Sequence, residues 1–360
     1  MPSVPRQPSE PPVSSPGVST AVRERAFLVA LAAIVGLAAL GWIRPTSYVA
    51  LGPGPVTNTL GAPGGKPLIE VTGFKTYPTT GRLELTTVTV STRLTLFQAL
   101  GDWLRSDYSV VPRDLIYEKG KSDTQVNTEN QNEMAASRAD AVTVALAKLK
   151  LLHVVVASTT KGAPAYGALA KGDEITAING AAVHAAGDVR AEISKVRVGQ
   201  RVSVRFLRSG VQHLVVLHTS PAPDDTARPV IGVVLNEKTA GGSDVKVVGL
   251  DNVGGPSAGL MFALGIYDTL TPGMLTGGKI IAGTGTIDSV GIVGPIGGIA
   301  LKMIAARRSG AEWFLVPADN CAEAKGATPK GMHLAKVATF DQGLAAVTSI
   351  GEGRSDIPSC

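Results

Sequence analysis

Hydrophobic and polar positions recur in three different rhythms along this chain, and each predicts a different kind of element. Residues 26–43 form an unbroken uncharged run of 18 residues between Arg23, Arg25 and Arg44. As a helix at about 1.5 Å per residue it spans about 27 Å, close to the shortest length that crosses a bilayer core. A core helix would carry one apolar stripe, and this run carries none. A cleaved leader would have a short basic start and a small-x-small exit, whereas 25 residues precede this run and Tyr48-Val49-Ala50 fits such an exit poorly. The reading is an uncleaved transmembrane helix over 23–45. Arg6, Arg23 and Arg25 precede it and Arg44 follows, which puts the N-terminus in the cytoplasm and the rest of the chain outside a cell membrane crossed once. Residues 1–22, rich in Pro and Ser, are predicted to be a disordered cytoplasmic tail.

Strand-like patterns follow at 68–71 and 83–90, then helical spacing at 95–106 and at 129–149, where Met134, Ala141, Val144 and Ala145 share a side. Gly52-Pro53-Gly54-Pro55 predicts a turn leaving the membrane. No chemistry is legible between 46 and 150, which stands as an α/β region of unassigned role. From 151 to 220 the pattern changes. Val154-Val155-Val156 predicts a buried strand. The string Leu169-x-x-Gly172-Asp173-x-Ile175-x-x-Ile178-Asn179-Gly180 predicts a tight turn, a strand and a hairpin exit. A helix near 188–196 and strands at 202–207 and 211–217 complete a unit that resembles a PDZ domain. The resemblance implies a groove that takes an extended peptide as an added strand, lined by Val154, Val155 and Val156 and by Val189 and Ile193 of the helix. The same residues would serve equally as core.

Composition narrows the partners. Hydrophobic residues make up 44% and charged residues 18%, ordinary for folded protein. The net charge of +5 is mild and aromatics are only 4%, so stacking on bases is poorly served and no nucleic-acid partner is expected. The two cysteines, Cys321 and Cys360, form no CxxC pair, so no metal site is expected. A disulfide between them and two free thiols both remain open.

Two segments of the last predicted domain, 226–350, carry chemistry. After strands at 230–235 and 245–248, Asp251-Asn252-Val253-Gly254-Gly255-Pro256-Ser257-Ala258-Gly259 runs into an apolar stretch. This is a glycine-rich turn opening a buried helix, with Ser257 at its start, where unbonded N–H groups favour negative charge. A serine there could simply cap the helix. In the second segment, Lys302 sits among Gly298, Ile299, Ala305 and Ala306, with no acidic residue between Asp288 and Glu312. Burial without a partner lowers a lysine's pKa, as a general base near neutrality requires. A lysine reaching from a helix edge into water is the ordinary alternative.

Together the segments resemble the proteolytic domain of the Lon family, whose pair is a Ser in a Gly-Pro-Ser-Ala-Gly turn and a Lys after Pro-Ile-Gly-Gly. Here those are Gly255 to Gly259 and Pro295-Ile296-Gly297-Gly298 with Lys302. The resemblance implies Ser257 as nucleophile, Lys302 as general base, Thr284 orienting the lysine, and the backbone N–H groups of Ser257 and Ala258 as oxyanion donors. It implies an α+β multidomain chain: an N-terminal transmembrane helix, a PDZ-like β-rich domain, a Lon-type α/β proteolytic domain, and a tail over 351–360. The activity implied is that of a serine endopeptidase acting on protein or peptide substrates, with oligomerisation left open. Gly273-x4-Gly278-Lys279 is followed by Ile280 where a phosphate loop needs Ser or Thr, so neither nucleotide nor cofactor is expected. Two rivals stand beside this reading. Gly255-x-Ser257-x-Gly259 with Asp319 and His333 fits the order of an α/β-hydrolase triad, although six residues separate Leu250 from Ser257 where that fold needs a strand. A non-catalytic PDZ adaptor holding peptides at the membrane is the other.

Overall fold

The computed structural model describes residues 20–360 apart from 118, 119, 251 and 252. The predicted tail at 1–22 thus falls almost wholly outside the described residues, as do Asp251 and Asn252 of the serine loop. Helix α1 is Thr20–Ile43, and its Val22–Ile43 stretch is apolar, unburied and long enough to cross a membrane. Then come β1 (Tyr48–Asn58), β2 (Ile69–Thr72), β3 (Arg82–Ser91), α2 (Leu96–Trp103), β4 (Ser109–Pro112) and α3 (Asp123–Lys148). The PDZ-like segment holds β5 (Leu152–Thr159), β6 (Glu174–Ile178), β7 (Ala181–Ala182), α4 (Ala186–Ser194), β8 (Arg201–Arg208) and β9 (Val211–His218). It is followed by β10 (Ser220–Pro221), β11 (Pro229–Val230), β12 (Val233–Thr239) and β13 (Asp244–Val247). The remainder is α5 (Gly259–Leu270), β14 (Ile280–Gly283), β15 (Thr286–Ile287), β16 (Val293–Gly294), α6 (Ile299–Arg308), β17 (Trp313–Pro317), α7 (Cys321–Gly326), β18 (His333–Val337) and α8 (Phe340–Glu352).

The largest sheet has the order β18-β17-β14-β3-β1-β4. β14 lies parallel between β3 and β17, while β1 joins β3 and β4 antiparallel. The sheet therefore crosses the expected boundary between 46–150 and 226–350: the segment of unassigned role supplies half the strands. A small sheet repeats the crossing, with β2 antiparallel to β13. Helix α5 is apolar on every side, and ten of its twelve residues are buried. Such a helix can only be a central one. Leu260, Met261 and Phe262 are fully enclosed, each contributing about 1.5–3 kcal/mol by leaving water. Helices α3 and α8 flank it.

The predicted turn at Gly52-Pro53-Gly54-Pro55 is instead part of β1. The register against β3 slips between Pro53 and Val56, which absorbs the prolines' missing donors. Glycine is needed there for space, because a Cβ on Gly54 would lie 2.4 Å from Thr87 Oγ1. The strand predicted at 230–235 is corrected too. β12 does not open the last domain but pairs antiparallel with β5, extending the PDZ-like sheet to β12-β5-β6-β8-β9.

Cys321 and Cys360 form a disulfide across 39 residues, at the margin of the core built on Phe314 and Met303. Closing a loop of that length stabilises by about 4 kcal/mol at most in the chain-entropy account. Replacing both cysteines by Ser is expected to lower the unfolding free energy by about 2–4 kcal/mol, read from urea midpoints.

Candidate active site

Ser257 lies in the turn between Gly255 and the first residue of α5. The turn is held by what surrounds it. The Ser257 carbonyl accepts from Gly285 N–H (2.8 Å) and from Thr284 Oγ1 (2.9 Å), so the chain leaving β14 grips the serine by its backbone. On the other side α3 grips the loop. Gly255 N–H donates to the Asn130 carbonyl (2.9 Å), Ser137 Oγ to the Pro256 carbonyl (2.9 Å) and Arg138 Nη2 to the Leu250 carbonyl (3.2 Å). These α3 residues were missed in the sequence. The signal was there, since Asn130, Met134, Ser137 and Ala141 fall at one helical spacing, so two polar residues interrupt an inward face. The N–H groups of Ser257 and Ala258 donate to no acceptor among the described residues.

Lys302 is in the first turns of α6, which begins after Gly298 in the left-handed region (φ 69°). A side chain there would be strained and would press on Val88 of β3. Lys302 is 3% exposed. Its Nζ lies 2.8 Å from Ser257 Oγ and 3.0 Å from Thr284 Oγ1. Burial pushes the ammonium pKa down to about 8, and no carboxylate among the described residues offsets it. The proton directions in this triangle are fixed by counting. Thr284 spends its single O–H on the Ser257 carbonyl, so it can only accept from Lys302. A neutral Lys302 then gives an N–H to Thr284 and keeps its lone pair for the Ser257 hydroxyl.

A cleft of about 610 Å³ opens over the pair, lined among others by Pro55, Thr87 to Val90, Pro256, Thr286 and Pro295 to Gly297. β14 runs beside β3 only as far as Leu85, so Thr87 to Val90 reach the cleft with that strand edge unpaired among the described residues. Of the rival triad, His333 is exposed and its ring packs on Trp313, and no hydrogen bond links it or Asp319 to Ser257 among the described residues. No group of three or more His, Cys, Asp or Glu able to hold a metal occurs among the described residues.

The expected peptide groove requires correction. Val154 and Val156 are buried in the PDZ-like core, and β5 is hydrogen-bonded on both edges, by β6 at Val154 and Val155 and by β12 from Leu152 to Thr159. No strand can add there. The terminal strands of this sheet are β12 and β9, and α4 lies beside β12, with Ala186 N–H donating to Glu237 (2.6 Å). Val189 and Ile193 of α4 are core residues.

Residues 249–347 match the Lon protease (S16) C-terminal proteolytic domain, and residues 124–218 match the PDZ domain family, so that α3 belongs to the second match. The chain is similar to the Lon protease of Azospirillum brasilense, 38% identical over 93 residues covering 25% of this chain and 11% of that protein. It is similar to Lon protease 2 of Bacillus subtilis, 35% identical over 92 residues covering 26% and 16%. The chain thus spans a small part of those relatives' lengths. Among solved structures, the PDZ domain of the SdrC-like protein of Listeria monocytogenes is similar at 26% identity, covering 23% of this chain and 85% of that one with a TM-score of 0.21.

Proposed function

We propose that this chain, which joins a PDZ domain to a Lon-type proteolytic domain, is a membrane-anchored, ATP-independent serine endopeptidase working through Ser257 and Lys302. One observation carries the reading: a buried amine with no acidic partner among the described residues, 2.8 Å from a hydroxyl at a helix start. Neutral Lys302 takes the proton from Ser257 Oγ as the oxygen attacks a peptide carbonyl carbon. The carbonyl oxygen, now negative, is held by the N–H groups of Ser257 and Ala258 at the positive end of α5. Lys302 then hands its proton to the departing amine nitrogen, and the C–N bond breaks. A water, deprotonated by the same amine, releases the acyl group and restores Ser257. Substrate seats as an extended segment against the unpaired edge of β3.

Thr284 keeps the lysine's lone pair aimed. Thr284→Val leaves an N–H without an acceptor in a buried site, at a cost of about 1–3 kcal/mol, so kcat is expected to fall about 10–100-fold. Thr284→Ser is expected to keep most activity, and the pair of kcat values checks the role.

The PDZ domain would select or present peptides at the β12 edge beside α4 rather than at β5. Helix α1 supplies the membrane anchor, and the Cys321–Cys360 disulfide fits a catalytic domain outside the cytoplasm, where thiols oxidise. ATP independence rests on the loop at Gly273–Lys279, which leads into strand β14 and not into the helix a phosphate loop needs. Full chain in detergent, given an unfolded polypeptide, is expected to cut it without ATP, at a rate unchanged by added ATP or by His333→Ala. Absolute dependence on ATP, or loss of cutting with His333→Ala, would overturn the proposal.

A further inference from the structure

Helix α2 carries an apolar stripe that its own domain does not cover. Leu96, Phe97, Leu100, Trp103 and, just past its end, Leu104 are 42–72% exposed. At 100° per residue they span an arc of about 120°, the width of a buried face. That arc is not the inward one: Ala99, on a different flank, is buried with Ala50 and Leu94. The stripe meets the end of α1. The Trp42 and Phe97 rings lie 5.6 Å apart, and a Cβ on Gly41 would be 3.3 Å from Phe97.

Little slack separates the two helices. Thr46 donates to the Leu94 carbonyl from both N–H (2.7 Å) and Oγ1 (3.0 Å), Pro45 bridges to Thr95, and β1 has begun by Tyr48. A second exposed pair, Leu115 (72%) and Ile116 (42%), follows β4 where Arg113 N–H donates to the Ser47 carbonyl (2.9 Å). Arg44 and Arg93, both exposed, flank the region with positive charge suited to phosphate headgroups.

We infer that α2 lies in the lipid headgroup region beside the exit of α1, docking the catalytic domain onto the bilayer. This rests on α1 being the membrane anchor. The occupant is lipid because the bilayer that surrounds the last turn of α1 necessarily reaches the helix packed on that turn. The docking sets the height of the active-site cleft. β1 leads from Tyr48 at the exit to Pro55 in the cleft wall, a run of at most about 23 Å at about 3.3 Å per residue.

The test uses the full chain reconstituted in phosphatidylcholine vesicles, with or without bromine on the upper acyl chain as a quencher. The chain has three tryptophans, Trp42, Trp103 and Trp313. With Trp42→Phe and Trp313→Phe, emission from Trp103 is expected to fall by about half in brominated vesicles, as a side chain about 5–10 Å into the interface would. A parallel protein keeping only Trp42 reports the anchor. Quenching of Trp42 without quenching of Trp103 leaves the anchor standing and overturns the docking. Quenching of neither overturns the anchor, and the docking with it. A blue shift of Trp103 without quenching signals cover by a second copy and overturns the docking. A bimane label on Leu100→Cys, in a chain whose tryptophans are intact, is expected to give the same quenching and guards against a misfolded tryptophan variant.

Discussion

Ser257→Ala is expected to lower kcat/KM for an unfolded polypeptide by about 10⁴-fold or more while leaving the fold intact. The size follows from the loss of the covalent route: without the hydroxyl, only oxyanion stabilisation and binding remain, and in serine hydrolases they sustain a small residue of the rate. The fold tolerates the change because the turn is held by the Ser257 carbonyl, not by its side chain, through Thr284 and Gly285. Steady-state kinetics with circular dichroism on the same preparation checks both halves. Activity surviving in a folded Ser257→Ala protein would mean that the nucleophile lies elsewhere.

Lys302→Met is expected to abolish cutting and at the same time to stabilise the protein. The two effects share one cause. In the folded chain the Lys302 amine titrates near 8, below its ordinary value of 10.5, because it has lost its water. Between those values the unfolded chain holds a proton that the folded chain has released, so stability rises with pH across that window. Below pH 8 the folded protein bears the full cost of the buried charge, about 3 kcal/mol. Met fills the space without a charge. At pH 7 the variant should melt about 5–10 °C higher, and the gain should shrink toward zero above pH 10. In the wild type the same pKa shapes the rate: kcat/KM should rise about tenfold per pH unit below 8 and level off above it. A variant that melts lower at pH 7, or a rate flat from pH 6 to 9, would count against a depressed lysine.

The residues proposed to do chemistry are easy to find in the sequence, and those that hold them are not. Ser257 and Lys302 stand out because each sits in a stretch otherwise made of glycine, proline and apolar residues, where a polar side chain has no other reason to be. Asn130, Ser137 and Arg138 hide in a helix full of polar residues; Ser137 and Arg138 donate to backbone carbonyls more than 100 residues away, and the Asn130 carbonyl accepts from the comparably distant Gly255 N–H, which no local pattern records. The strands β2, β3, β8, β9 and β13 are legible from their local patterns, whereas β4 and β14 to β18, which include most of the large sheet, are not. β1 was not, since Gly-Pro-Gly-Pro spells a turn locally, and only the neighbours Tyr108 and Thr87 make those glycines strand residues. β12 was seen as a strand but given to the wrong sheet. An alternating segment fixes its own conformation, whereas its partner is chosen by edges that come together only in the whole fold.

The large sheet imposes an order on synthesis. Leu83 of β3 pairs with Ile281 of β14, nearly 200 residues further along. At about 5–20 residues per second, β3 waits about 10–40 s for its neighbour. The β5–β12 sheet, closed within Leu152–Thr239, can form during that wait. Ser257 is made near the end of this interval and Lys302 only after it, and their elements meet only when β14 slots between β3 and β17. If Ser257 and Lys302 are the proposed pair, a half-made chain therefore has no means of cutting itself or its neighbours.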